Sequence, residues 1–287
     1  MARGEITFMD GLTFKTQAGL DIANVRDYMY WDTESGDGYG YGGLIEEVNS
    51  TYATWNWQNV LNFTRTFNSV HNLTATAVQE YTHSETEYMD GSVYELSDPF
   101  FSEHIISNTF GQKDVGGWKS ENGLASYMFR ANYNYDSKYY IGASIRYDGL
   151  SKLPKDTRWG TFWGASAAWR LSREKFWTEA PVNEWFNDLR LRASYATIGN
   201  SALGSDYPYL GTYGAKLVGP MAGIAWNVMG NNNLKWETTE TFDIGLDGAL
   251  FNNRMTFEIA YWQKNSKDLV LRVPTPPTMG IPNNYYY

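Results

Sequence analysis

The stretch Leu124-Ala-Ser-Tyr-Met-Phe-Arg-Ala-Asn-Tyr-Asn-Tyr135 sets Ala125, Tyr127, Phe129, Ala131, Tyr133 and Tyr135 on one side of the chain and Ser126, Arg130, Asn132 and Asn134 on the other. A repeat of two is the period of a strand, because successive side chains leave the backbone on opposite faces. A polar turn follows at Asp136-Ser-Lys138. The alternation then resumes, with Tyr139, Ile141, Ala143, Ile145 and Tyr147 opposed to Gly142, Ser144, Arg146 and Asp148. Two alternating runs around so short a turn predict an antiparallel hairpin.

The pattern recurs along the chain. Trp163, Ala165, Ala167, Trp169 and Leu171 share one side of the next run, and Leu189, Leu191, Ala193 and Tyr195 oppose Arg190, Arg192 and Ser194. Phe242, Ile244 and Leu246 oppose Asp243, Gly245 and Asp247; past an Asn252-Asn253 turn, Met255, Phe257, Ile259 and Tyr261 oppose Arg254, Thr256 and Glu258. Residues 12–22, 53–63 and 73–81 alternate in the same way. Together these runs predict about nine or ten strands.

Composition narrows the setting. The 287 residues include 22 Tyr, 14 Phe and 12 Trp, yet no run of roughly 18 uncharged apolar residues exists, which excludes membrane-spanning helices. A barrel strand escapes that test, since only alternate residues meet lipid. With 43% hydrophobic and 19% charged residues the chain lacks the signature of disorder. A net charge of −9 with no basic stripe argues against a nucleic-acid partner. The absence of cysteine removes disulfides, thiolate metal sites and thiol nucleophiles together. Residues 1–10 contain no secretory signal, and an exported barrel carries one, so the chain is expected to be a segment of a longer protein.

Connections are expected to alternate in length. Short turns fall at residues 66–72, 136–138 and 251–254, and long polar loops at 32–50, 83–121, 149–158 and 199–233 on the opposite side. The link at 172–187 belongs to the short side, with room for a helical turn. Outer-membrane barrels have this asymmetry. A soluble sandwich strand also wets one face and hides the other. Three features favour lipid instead: strands of about ten or more residues, aromatics gathered at strand ends as in interfacial girdles, and Arg130, Arg146, Arg170, Arg190, Arg192 and Glu258 at mid-strand on the polar face. The expected fold is all-β, an antiparallel transmembrane β-barrel, here a partial one of about nine or ten strands from a larger barrel.

Longer motifs carry a resemblance. Tyr139-Tyr-Ile-Gly-Ala-Ser-Ile-Arg-Tyr-Asp-Gly-Leu-Ser-Lys152, continuing at Arg158-Trp-Gly-Thr-Phe-Trp-Gly-Ala-Ser-Ala-Ala-Trp-Arg-Leu-Ser172, resembles the barrel signature of SusC/RagA-like TonB-dependent transporters. Asn187-Asp-Leu-Arg-Leu-Arg-Ala-Ser-Tyr195 and Asn233-Leu-Lys-Trp-Glu-Thr-Thr-Glu-Thr-Phe-Asp-Ile-Gly-Leu-Asp247 are similar to the following barrel strands, in family order. Trp163 departs from the family's usual Pro, and Leu150 from its more common Ser. The resemblance implies residues 1–287 to be barrel throughout, lacking plug, TonB box and signal peptide, in the cell outer membrane of a Gram-negative organism. It further implies import of oligosaccharides or peptides, with outer-membrane lipid, TonB and a SusD-like surface lipoprotein as partners. The alternatives are a siderophore or cobalamin receptor of the same barrel type, a soluble carbohydrate-binding β-sandwich, and a glycan-degrading β-enzyme.

No catalytic residue, metal site or cofactor is expected. The loop aromatics Tyr39, Tyr41, Trp118, Tyr207, Tyr209, Tyr213 and Trp226 are the candidate substrate-binding residues, since an aromatic face covers the apolar face of a sugar ring; the bland reading makes them loop-packing or girdle residues. Glu46, Glu47, Asp90, Glu95 and Asp98 offer oxygen ligands for Ca²⁺ without an EF-hand spacing, so solvated loops are expected there. His71, His83 and His104 lack a zinc-type spacing and are read as ordinary. The glycine-rich run at 35–43 precedes no helical pattern and reads as an external loop rather than a phosphate loop.

Overall fold

A computed structural model describes residues 1–97, 104–218, 221–274, 276, 278 and 285–286. Its principal strands are β1 (Ala2–Met9), β2 (Leu12–Trp31), β3 (Leu44–Phe67), β4 (His71–Tyr94), β5 (Lys113–Tyr135), β6 (Tyr139–Leu150), β7 (Trp159–Arg170), β8 (Phe186–Asn200), β9 (Thr212–Val218), β10 (Met221–Val228), β11 (Glu237–Leu250) and β12 (Met255–Lys267). Ten of them form one sheet in the order β1-β2-β3-β4-β5-β6-β7-β8-β11-β12, while β9 and β10 pair only with each other. Neighbours in sequence are thus neighbours in the sheet, the plan of an up-and-down meander.

Turn chemistry sets the register of the deciding hairpin. Asp136 and Ser137 both hold positive φ, 51° and 53°, and the Lys138 N–H donates to the Tyr135 carbonyl at 2.9 Å. Positive φ at both central residues matches the right-handed twist of the flanking strands. Tyr127 then stands opposite Tyr147, Phe129 opposite Ile145 and Tyr133 opposite Ile141, so one face is apolar across both strands. A slip of one residue would reverse every side chain. The same parity continues through Ile145 and Trp163 to Ala165 and Tyr195, and through Ala193 and Ile244 to Tyr261.

Among the described residues no second sheet covers that apolar row. Tyr127, Phe129, Ile141, Ile145 and Trp163 remain 50–59% exposed. The sandwich alternative requires them buried, and it fails here. The link after β7 holds a short 3₁₀ turn at Leu171–Arg173, a one-turn helix α1 (Lys175–Thr178) and another 3₁₀ turn at Pro181–Glu184, in keeping with the helical turn expected there.

Two of the expected long loops are corrected. Strand β2 runs to Trp31 and β3 begins at Leu44, so residues 32–50 contain only a short link with a 3₁₀ segment at Gly36–Tyr41. Likewise β4 extends to Tyr94 and β5 starts at Lys113. These extensions, such as Ser84-Glu-Thr-Glu-Tyr88, are polar on both faces, so the ladder continues with no apolar side to reveal it in sequence. The region 199–233 holds the hairpin β9–β10, and β1 was not foreseen.

The chain sorts into two compact units. The smaller comprises Met1, Ala18–Asn56 and Thr82–Asn122, with Ile45, Val93 and Leu96 as its buried core against Tyr30 and Ile106. The larger comprises Ala2–Gln17, Trp57–Tyr81 and Gly123–Tyr287; Leu150, Leu153, Phe162, Leu234 and Trp236 form a small core among its connecting segments.

Candidate functional site

On the face of the larger unit opposite the apolar row, arginines and carboxylates interlock from strand to strand. Arg146 Nε donates to Asp148 Oδ2 at 2.7 Å. Arg170 forks onto Asp188 at 2.7 and 2.9 Å, and the Ser172 hydroxyl donates to the same carboxylate. Arg190 stands directly across from Asp247 and bonds it at 2.7 Å. Arg192 reaches Asp243 at 2.8 Å, Asp247 at 3.3 Å and Glu258. The Arg170–Asp188, Arg190–Asp247 and Arg192–Asp243 pairs join adjacent strands, Arg146 and Asp148 are alternate residues of β6, and Arg192 reaches Glu258 across β11.

Gly245 makes the last cluster possible. It lies opposite Arg192 in the register, and a Cβ there would sit 2.7 Å from the guanidinium carbon. Without a side chain at 245, the guanidinium lies flat between Asp243 and Asp247. Four arginines face five carboxylates in this ladder, so the surface is rich in hydrogen-bonding groups and nearly balanced in charge. Beside it, a trough of about 480 Å³ is lined by Asn132, Asn134, Gly142, Ser166, Arg190 and Ser194. Asparagine banks one side, arginine the other, and small residues form the floor.

The seven candidate aromatics do not form one cluster. In the smaller unit, Tyr39 and Tyr41 lie on the 3₁₀ segment, both exposed, with Tyr41 tilted against Tyr94 at 5.7 Å; Trp118 on β5 stacks on Tyr88 at 5.6 Å and 15°. In the larger unit, Tyr213 and Trp226 stack across the β9–β10 hairpin at 4.0 Å. Tyr207 is exposed, and Tyr209 is partly buried against the Leu150–Trp236 core. The ring partners Tyr88 and Tyr94 escaped the sequence reading, because the strand extensions that carry them read as loop.

The remaining candidates have structural places. Glu46 and Glu47 lie on β3 and Asp90 on β4, so they are strand residues rather than loop ones; Glu47 pairs with Arg26 at 2.6 Å. Glu95 leaves β4 with φ of 54°. Asp98 falls outside the described residues. His71 bonds the Tyr133 hydroxyl at 2.6 Å, and His104 stacks on Tyr30 at 4.0 Å. On the short-turn side, Glu174 accepts from the Tyr139 hydroxyl at 2.5 Å and from the Trp169 ring N–H at 3.1 Å. Those bonds, the Tyr139 one foremost, hold its carboxyl below the usual carboxylate range.

Comparison with known proteins agrees with this geometry. The family profile described as TonB dependent receptor-like, beta-barrel matches residues 2–287. TonB-dependent receptor P39 of Formosa agariphila is 31% identical over 276 residues, 95% of this chain and 26% of that protein. TonB-dependent receptor SusC of Bacteroides thetaiotaomicron is 32% identical over 171 residues, 57% of this chain and 17% of that protein. The solved RagAB peptide transporter superposes with a TM-score of 0.85 at 26% identity, covering 99% of this chain and 31% of that one. The chain spans about a quarter of the length of P39. An apolar face left exposed among the described residues, an opposite face laddered with charge, and a family match along nearly the whole length have one reading: this chain belongs to the TonB-dependent receptor-like β-barrels, proteins of the outer membrane.

Proposed function

We propose that residues 1–287 are the wall of an importer that carries oligosaccharides or peptides across the outer membrane, with TonB and a SusD-like surface lipoprotein as partners of the whole machine. The observation that carries this reading is the two-faced sheet, with uncovered aromatic and aliphatic rows on one side and the Arg–Asp ladder on the other. Its apolar side is solvated by acyl chains, and its polar side lines a watery conduit. A nearly charge-balanced lining dense in donors and acceptors suits neutral or mixed-charge polar cargo, which exchanges hydrogen bonds with it without meeting a strong field. SusC and RagAB, the latter a peptide importer by name, support the same reading.

Within it, Tyr39, Tyr41, Trp118, Tyr207, Tyr209, Tyr213 and Trp226 are the contacts proposed for cargo. Trp118 and the Tyr213–Trp226 pair are the best placed, as exposed rings held by a stacked partner. The test is competitive binding of neutral oligosaccharides and of mixed peptides to the detergent-solubilised protein. Trp118→Ala and Trp226→Ala are expected to weaken the bound class by roughly twofold to tenfold, the worth of one aromatic stack. Parent affinity in both variants removes these residues from the site, and binding of neither class sinks the cargo assignment.

A further inference from the structure

On the extended parts of β4 and β5, four side chains of one parity meet in a square. His83 and Glu85 are alternate residues of β4, and Lys119 and Glu121 are alternate residues of the adjacent β5. His83 Nε2 lies 3.8 Å from Glu121 Oε2, and Lys119 Nζ lies 2.5 Å from Glu85 Oε1. One ligand atom from each of His83, Glu85 and Glu121 falls within 4.8 Å of the others, the group of this kind found among the described residues. The Trp55 ring sits against the imidazole, 5.7 Å between centroids, and restricts its orientation.

We propose that His83, Glu85 and Glu121 form a three-ligand site for a divalent cation of the zinc class, with Lys119 occupying Glu85 in the ion's absence. Imidazole nitrogen with two carboxylates is a donor set that zinc and its neighbours accept, leaving a position open for water. Around such an ion, bound at about 2.0–2.2 Å, ligand atoms stand roughly 3.3 Å apart. His83 and Glu121 are already within half an ångström of that spacing. Glu85 has farther to come, and its side chain is 35% exposed and free to rotate once it leaves the ammonium. The ion would add a tie between β4 and β5 next to the Tyr88–Trp118 stack. Nothing in this depends on the import reading.

The test is titration of Zn²⁺ alone into the detergent-solubilised protein, in competition with a chromophoric chelator. One equivalent is expected to bind. His83→Ala is expected to weaken it at least tenfold, and Lys119→Met to tighten it severalfold by removing the competing ammonium, with matched strand circular dichroism in both variants. No bound equivalent in the parent, parent affinity in His83→Ala, or an affinity that Lys119→Met fails to raise each overturns the site. The lysine variant retains all three ligands, so it reads the site even if the histidine variant misfolds.

Discussion

Gly245 and Gly199 both lie under another residue's side chain, and the two differ in what that side chain can do. A Cβ at 245 would meet the Arg192 guanidinium, the far end of a flexible chain that can swing aside and give up its carboxylate partners. A Cβ at 199 would come within 2.1 Å of the Phe162 ring, which is 6% exposed and held edge-on by Trp236 at 5.3 Å. The expected order follows from that contrast. Gly245→Ala costs the smaller amount, since water replaces the solvent-reachable charged hydrogen bonds that Arg192 gives up, whereas Gly199→Ala costs about 1–3 kcal/mol through overpacking of a ring with nowhere to go. Thermal unfolding of the two variants in detergent, followed by heat-shifted gel mobility, checks the order; a larger loss at Gly245 refutes it. Neither contact was legible from spacing, because a period of two says which residues share a face and not which glycine an arginine crosses.

Connections and strand ends carry their own chemistry. Glu174 holds the link between β7 and β8 to β6 through the Tyr139 hydroxyl and to β7 through the Trp169 ring N–H. Its carboxyl is held below the ordinary range in the folded protein, so the folded state favours the charged form. That stability is present above the unfolded carboxyl's titration range and is lost as pH falls through the lowered folded value. Glu174→Gln is therefore expected to lower stability at neutral pH and to flatten the acid limb of the stability-versus-pH curve, so that variant and parent converge in acid; an acid limb as steep as the parent's refutes the linkage. Two of the short turns were readable because their positive-φ positions fell to Asn, Asp and Ser, at Asn68-Ser69 and Asp136-Ser137, and in the third Asn252 and Asn253 follow a positive-φ Phe251. The strand extensions were not, since polar residues on both faces produce no amphipathic signal, and backbone hydrogen bonding extends β4 to Tyr94 regardless of what the side chains face.

Across the whole molecule, the outward row must be solvated by lipid, and this separates two otherwise similar substitutions on β6. Ile145→Arg places a charge among exposed apolar neighbours and is expected to cost about 2–4 kcal/mol in a bilayer, falling toward zero near the interfaces. Ser144→Arg adds the same side chain one position away on the polar face, opposite Arg130, and is expected to cost less, about 1 kcal/mol or below. Folding of both variants into vesicles, measured as urea midpoints, checks the asymmetry; equal losses would remove the lipid assignment. Tyr139 and Tyr147 bound the row on β6, eight residues or about 27 Å of antiparallel strand apart, which fits a tilted crossing of the hydrocarbon band.

From residue order came the strand period, the face on which each side chain stands, the short turns and the membrane setting, because these depend on local alternation and on where apolar residues recur. The family resemblance rested on contiguous motifs and was equally visible there. Which strands extend into water, which arginine meets which carboxylate, and which of seven aromatics find a ring partner came from the fold. Those contacts join residues up to 66 positions apart, as Arg192 to Glu258. They exist once sheet register brings distant strands side by side, and sequence spacing holds no record of that distance. The pairing of His83 and Glu85 with Glu121 is of the same kind: alternate residues on β4 place the first two on one face, and the third arrives with the neighbouring strand.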